Sequence, residues 1–151
     1  MENMKSKKAF SLIELVFVIV IIGILAAVAV PRLAATRDDA EITKARVTVA
    51  SIRNALSMER QKRILRGNFT AITTIGSGSN VFDKFSDDGK GNTADVLEYP
   101  MTSSTSSGHW SINAGGTEYT FHQNTMVDPI FVISGGKFVC KTGSNCSALI
   151  D

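Results

Sequence analysis

One long apolar run, from Phe10 to Val30, stands out in the pattern of hydrophobic and polar positions along the chain. It contains a single charged side chain, Glu14. A helix of this length, at about 1.5 Å per residue, spans about 31 Å and matches the hydrocarbon core of a bilayer. The polar segment 1–9 before it is rich in lysine, and the positive-inside rule keeps such a segment in the cytoplasm. The pattern therefore predicts a membrane-spanning helix over residues 10–31 and a periplasmic location for residues 32–151.

Three plainer interpretations of this run compete: a secretory signal peptide, a single-pass anchor and a buried core helix. Ala27-Val28-Ala29 resembles a signal cleavage site, but the run is longer than the ~7–15 residues of a signal core. An apolar run this long, placed directly after a basic tail, is not typical of a core helix. An anchor tolerates Glu14 near the helix N-terminus, where the dipole favours it, but has no use for a carboxylate that is costly in lipid. Glu14 therefore predicts a partner cation within the apolar layer.

A second helical pattern covers residues 32–66, where apolar residues recur at spacings of three and four. Gly67-Asn68 ends it, with Arg63 and Arg66 in the last turn complementing the helix dipole. We expect the apolar stripe to pack on a small sheet. Its members are Ile42, Ala45, Val49, Ile52 and Leu56. Arginines fall off the stripe and predict a solvated face or one that meets acidic neighbours: Arg46, Arg53, Arg60 and Arg63.

Residues 67–108 are rich in Gly, Ser, Asp and Thr, and predict a loop with a short helix or strand at most. Strand-like runs then fill residues 109–151, and Gly135-Gly136 is a two-residue hairpin turn between the last two. The predicted fold is therefore α+β, with the second half of a long N-terminal helix packed on an antiparallel meander. The predicted strands are Trp110–Ile112, Tyr119–Gln123, Ile130–Ser134 and Lys137–Lys141. Their aromatic side chains are read as core: Trp110, Tyr119, Phe121, Phe131 and Phe138.

Charge is segregated along the chain although the net charge is only +2. Residues 32–66 carry nine Lys or Arg against four acids, whereas residues 67–151 carry four Lys against eight acids. This arrangement favours subunits that attract one another and does not favour a nucleic-acid-binding domain, which would be basic on its folded face. Cys140 and Cys146 both lie in the predicted periplasmic part, where an oxidising compartment would let them pair.

Sites for catalysis or for a cofactor are not apparent in the sequence. Gly76-Ser77-Gly78 lacks the third glycine of a dinucleotide loop, and His109 and His122 sit singly in strand-like context. The acidic loop offers oxygen ligands for calcium, yet Phe85 falls where an EF-hand that starts at Asp83 needs a ligand. A solvated acidic loop is the favoured interpretation, with calcium as the alternative and no other cofactor predicted. The candidate ligands are Asp83, Asp87, Asp88, Asn92, Asp95 and Glu98.

The N-terminal residues resemble the signature of type IV pilins and type II secretion pseudopilins. The matching stretches are Lys7-Lys8-Ala9-Phe10-Ser11-Leu12-Ile13-Glu14-Leu15, then Ile21-Ile22-Gly23-Ile24-Leu25-Ala26-Ala27 and Pro31. The resemblance implies cleavage between Ala9 and Phe10 by a prepilin peptidase, N-methylation of Phe10 and a role for Glu14 in subunit recruitment. Ala9 departs from the glycine that is usual in the family, but alanine is small enough for us to expect cleavage. The resemblance also bears on calcium, since major pseudopilins of the family often hold it in a loop, but that loop cannot be aligned with this chain.

Gly23 and Pro31 predict a soft segment of the N-terminal helix. Glycine weakens a helix locally, and the proline ring clashes with the carbonyl of Ala27. The segment could stretch during assembly, and a static kink is the alternative.

The predicted function is structural. The resemblance implies a non-enzymatic filament subunit whose partners are other pilin-like subunits, the prepilin peptidase, an inner-membrane assembly platform and lipid. The small soluble domain favours a type II secretion-type pseudopilin, with a true type IV pilus subunit for adhesion, twitching or DNA uptake as the alternative. A membrane-anchored periplasmic enzyme or binding domain is the alternative from a different class.

Overall fold

The computed structural model describes residues 10–124 and 126–150, without the side chains of residues 34 and 35. It divides into two units, Met1–Arg37 and Asp38–Asp151, which we describe separately. The second unit contains the sheets and the hydrophobic core, and we call it the head.

The first helix, α1, covers Leu12–Leu65 and is continuous through Gly23 and Pro31, so that their softening effect stays a prediction. It ends as the sequence predicts. Gly67 adopts a left-handed φ of 70°, its N–H donates to the Ile64 carbonyl, and the Asn68 N–H donates to the Arg63 carbonyl. This pair of hydrogen bonds is the Schellman motif, which satisfies carbonyls that the end of a helix leaves free.

Two antiparallel sheets follow α1. Strands β1 (Asn80–Val81) and β2 (Met101–Thr102) form a two-stranded sheet within the segment predicted as loop. The second sheet is a meander of neighbouring strands in the order β3 (Trp110–Ile112), β4 (Glu118–Phe121), β5 (Ile130–Ser134) and β6 (Lys137–Cys140). A short helix, α2 (Ser147–Ile150), follows β6.

The meander lies close to where the sequence predicts it. Strand β4 starts at Glu118 and ends two residues before the predicted Gln123, because the Gln123 N–H donates to the carboxylate of Asp128 instead of to a neighbouring strand. Gly135 and Gly136 both have left-handed φ angles, 57° and 72°, as a tight two-residue hairpin turn requires.

The core of the head lies between the second half of α1 and the inner face of the meander. The predicted stripe is confirmed: Ala45, Val49, Ile52 and Leu56 are almost completely buried, and Ile42 packs against them. The loop-like segment 67–108 contributes more to the core than its composition suggests. Its buried apolar members are Ile72, Ile75, Val81, Phe82, Phe85 and Val96. All five aromatic residues predicted as core are buried: Trp110, Tyr119, Phe121, Phe131 and Phe138.

Cys140 and Cys146 form a disulfide, as the sequence predicts. It joins the last strand to the segment before α2, where Cys146 is buried and its sulfur lies 3.5 Å from the Ile130 carbonyl oxygen. A loop this short contributes roughly 2 kcal/mol in the chain-entropy description of disulfides. The bond thereby fixes the C-terminal segment against the start of β5.

Candidate assembly surfaces

The first part of α1 is apolar and exposed in the isolated chain. Its most hydrophobic 18-residue window has a mean hydropathy of 3.1 and none of it is buried. By length and composition this helix can cross a membrane. Phe10 is 76 % exposed and Leu12 is 80 % exposed. An apolar surface of this size needs lipid or other protein to cover it.

Glu14 lies in the first turn of α1, and its side chain is exposed like those of its apolar neighbours. Among residues 10–33, the first basic side chain is that of Arg32, at the far end of the apolar segment. Within that layer, the candidate partners for its carboxylate are the amine that the predicted cleavage would create at Phe10 and a cation of another chain. Ala9, the other residue of the predicted cleavage site, lies outside the described residues.

Three arginines of α1 tie the helix to backbone carbonyls of the C-terminal half of the head. Arg46 Nη2 donates to the Ala148 carbonyl at 2.8 Å, Arg53 Nε to that of Phe138 at 3.2 Å, and Arg60 Nη1 to that of Gly135 at 3.1 Å. The arginines are seven residues apart, which places them on one side of the helix. Because Phe138 belongs to β6, the outer strand of the meander, Arg53 also occupies a carbonyl at a sheet edge that could otherwise pair with another chain. The arginine face predicted to be charged therefore also makes hydrogen bonds within the head.

Arg63, predicted to lie on the charged face, is instead only 2 % exposed, and this prediction was wrong. Its Nε donates to Glu59 Oε1 at 3.0 Å and its Nη2 donates to the Ser86 carbonyl at 2.6 Å. Glu59 is 5 % exposed. The segment 67–108 covers this helix face, so that a pair that looks solvated in sequence becomes a buried ion pair.

Known proteins share the N-terminal motif and, in one case, most of the chain. Residues 4–30 match the prokaryotic N-terminal methylation motif. The type IV narrow pilus major component of Thermus thermophilus is 32% identical over 130 residues, which cover 86% of this chain and 90% of that protein. The chain belongs to the family of type IV pilins and type II secretion pseudopilins. The type II secretion system core protein G of Vibrio cholerae is 38% identical over 58 residues, 38% of this chain and 40% of that protein. No solved structure matches the chain.

Membership makes this chain a structural, non-enzymatic, pilin-like protein, and the family implies self-assembly into filaments and processing by prepilin peptidase. The head nevertheless contains one serine–histidine–aspartate hydrogen-bond chain that sequence spacing does not reveal. Ser111 Oγ lies 2.7 Å from His122 Nε2, and His122 Nδ1 lies 2.6 Å from Asp128 Oδ2. The other carboxylate oxygen of Asp128 accepts the Gln123 N–H at 3.0 Å. In a structural subunit this chain of bonds serves to hold Asp128, just before β5, to His122 just after β4 and through it to Ser111 of β3.

The acidic candidates for calcium bond mainly to the protein itself. Asp83 accepts bonds from the Ser77 hydroxyl and the Lys84 N–H, and Asp87 accepts the Gly89 N–H at 2.5 Å. The backbone of Asp95 pairs with that of Lys84 in an isolated antiparallel β-bridge. Within residues 10–124 and 126–150, no three His, Cys, Asp or Glu side chains come together as metal ligands do. Calcium binding therefore stays an untested alternative.

Asp88 is the most constrained of these carboxylates. The Lys90 N–H holds the pKa of Asp88 below its ordinary value, helped by the backbone and side chain of Asn92 and by the positive charge of Arg63, and against the effect of desolvation. Its own backbone carbonyl accepts the side-chain amide of Asn68 at 2.6 Å. Asp88 thus links the loop to the end of α1.

This lowered pKa predicts how Asp88 contributes to stability as pH changes. The ionised form is favoured by folding, so the contribution is present above the unfolded pKa, about 3.9, and is lost as pH falls through the lower folded value. We expect Asp88→Asn to lower the free energy of unfolding near neutral pH, and the difference from the unmodified protein to shrink below about pH 4. Urea unfolding of the full chain in detergent, followed by the fluorescence of the buried Trp110, measures this. A difference that stays constant from neutral to acid pH would contradict it.

Proposed function

We propose that this chain is a subunit of a type IV pilus, the alternative that the sequence leaves open, and not a type II secretion pseudopilin. The observation that supports this proposal is the length of chain over which each of the two relatives matches. The type IV pilus component matches over 130 residues that include most of the head, whereas the secretion protein matches over 58 residues. Heads distinguish members of a family that share the N-terminal helix, so similarity in the head carries more weight.

The exposed apolar segment supports a route from membrane to filament. In the inner membrane, lipid covers residues 10–33 while the head lies in the periplasm, with its disulfide formed in an oxidising compartment. Prepilin peptidase cuts between Ala9 and Phe10, and Phe10 is N-methylated. An inner-membrane assembly platform then transfers the subunit into the filament, where the helices of other subunits replace lipid.

Glu14 is proposed to direct that transfer. After cleavage, the amine of Phe10 is a cation four residues from Glu14, within the same apolar layer. Staggered neighbours pair the amine of one chain with the carboxylate of the other, which satisfies both charges without water. Gly23 and Pro31 are proposed to soften the segment of helix that lies between these two residues, so that it can stretch during assembly.

Deletion of the gene and complementation with the unmodified chain test the proposal. We expect complementation to restore long surface fibres, which shearing releases and antibody against the head labels. Mass spectrometry of these fibres should find a chain that begins at N-methylated Phe10. Two results would contradict the proposal: a deletion that blocks protein secretion with surface fibres unaffected, which indicates a pseudopilin, or a fibre subunit that retains Met1.

A further inference from the structure

Two adjacent apolar residues between β4 and β5 are exposed on the head, and we call this pair the knob. It consists of Met126 and Val127, which are 55 % and 75 % exposed. Hydrogen bonds hold its conformation. The side-chain amide of Gln123 donates to the Val127 carbonyl at 3.1 Å, and Asp128 is fixed by His122 and by the Gln123 N–H. Val127 is therefore a preorganised contact, because its hydrogen-bonded backbone has little conformational freedom left to lose on binding.

An apolar cleft of about 240 Å³ lies at the C-terminal end of α1. Its apolar lining includes Ile64, Phe69 and Ile72. The Gly135-Gly136 turn and the polar residues Arg60, Arg63, Asn68 and Thr70 line the rest. Phe69 is 81 % exposed and Ile64 is 47 % exposed, so the apolar wall faces outward. A cavity of about 150 Å³ can hold benzene, so this cleft has room for the side chain of a valine or a methionine.

Knob and cleft lie at opposite ends of strand β5. The knob precedes β5, which starts at Ile130, and Gly135-Gly136 of the cleft follows its last residue, Ser134. Five residues of strand separate the ends by about 16 Å. A head therefore cannot place its own knob in its own cleft, but a second head displaced along the direction of β5 can.

We propose that the knob of one subunit inserts into the cleft of the next copy of the same chain. The occupant is a second copy because two complementary surfaces at opposite ends of one molecule form a head-to-tail contact. Such a contact repeats without closing when the rotation between copies does not complete a ring, and it then generates a helical filament. The charges beside the two surfaces are opposite, since Asp128 adjoins the knob and Arg60 lines the cleft. Each also bonds within its own head, Asp128 to His122 and Arg60 to the Gly135 carbonyl. The inference rests on the proposed filament function and specifies which head surfaces meet.

Cysteines placed in knob and cleft test the contact in assembled filaments. Val127→Cys and Phe69→Cys both alter exposed positions and leave the disulfide of Cys140 and Cys146 intact. A disulfide requires Cα atoms within about 7 Å, so only a direct contact is captured. After mild oxidation of sheared filaments, we expect the double variant to form a ladder of dimers, trimers and longer chains on a non-reducing gel. Each single variant should remain monomeric, because a head-to-tail contact joins different positions.

Controls separate this contact from general proximity. Tyr99→Cys with Val127→Cys, which combines the knob with another highly exposed position, should give no ladder. If the double variant does not assemble, the two single variants expressed together replace it, and a dimer that needs both is expected. Filaments that form without these crosslinks, or dimers from Val127→Cys alone, overturn the knob-and-cleft contact and leave the filament function standing. Failure of the unmodified chain to form any filament overturns the proposed function and this contact with it.

Discussion

Replacing Glu14 with valine is expected to lower filament yield by about tenfold or more, while leader cleavage and the amount of subunit in the membrane stay near normal. Removal of a carboxylate from an apolar span makes insertion of the monomer easier, by up to a few kcal/mol at the bilayer centre. Assembly loses the attraction between this carboxylate and the amine of a neighbour, which a low dielectric strengthens and desolvation partly offsets. A net loss of about 1.4 kcal/mol per contact already lowers the association constant tenfold.

The measurement compares shear-released filament with total membrane subunit in a strain that lacks the native copy. Val16→Leu, an apolar change two residues further along the same helix, is the matched control and should leave the yield unchanged. A simple anchor would tolerate Glu14→Val, so a normal filament yield from that variant would exclude the proposed role of Glu14.

The elements that the sequence predicts correctly are those specified by local pattern. The stripe of Ala45, Val49, Ile52 and Leu56 has helical periodicity, and the core position of its members follows from that period alone. The hairpin at Gly135-Gly136 follows from the preference of glycine for left-handed φ angles. The disulfide follows from two cysteines that both lie in the part predicted to be periplasmic, where an oxidising compartment would let them pair.

The segment 67–108 could not be predicted in this way, because its structure depends on contacts distant in sequence. Phe82 is fully buried among Trp110, Tyr119 and Phe138, and it has a left-handed φ of 61°, which a bulky residue rarely adopts. The hydroxyl of Tyr119 accepts the Ile75 N–H at 2.8 Å and donates to the Gly116 carbonyl at 2.8 Å. The first of these bonds joins the segment to the meander and the second fixes the hydroxyl within the meander, and neither has a signature in the local sequence.

The candidate assembly surfaces also differ in whether their residues are contiguous in sequence. The apolar run, Glu14 and the processing signature are contiguous in sequence and are visible there. The knob and the cleft are not, since the cleft combines the end of α1 with a turn about 70 residues further along the chain. The small size of the head favoured a pseudopilin, but size does not distinguish the two kinds of filament, and the similarity over most of the chain favours a pilus.

Replacing Glu59 with leucine is expected to lower the free energy of unfolding of the head by about 3–5 kcal/mol, because it leaves the guanidinium of Arg63 buried without a counter-charge. The side chains of Arg63 and Glu59 are only 3% and 6% exposed, and Arg63 Nη1 is already buried without a hydrogen-bond partner among the described residues.

Glu118→Leu is the matched control. It removes the acidic partner of the ion pair between Glu118 and Lys141, whose side chains are 33% and 42% exposed, respectively. Because this pair is exposed to solvent, its loss should lower the free energy of unfolding by no more than about 1 kcal/mol. Urea unfolding in detergent, followed by Trp110 fluorescence, measures both. Arg63→Met added to Glu59→Leu should recover most of the loss, because it removes the uncompensated charge at the cost of one hydrogen bond to the Ser86 carbonyl. Equal effects of Glu59→Leu and Glu118→Leu would show that the pair of Glu59 and Arg63 is not shielded from water as the structure indicates.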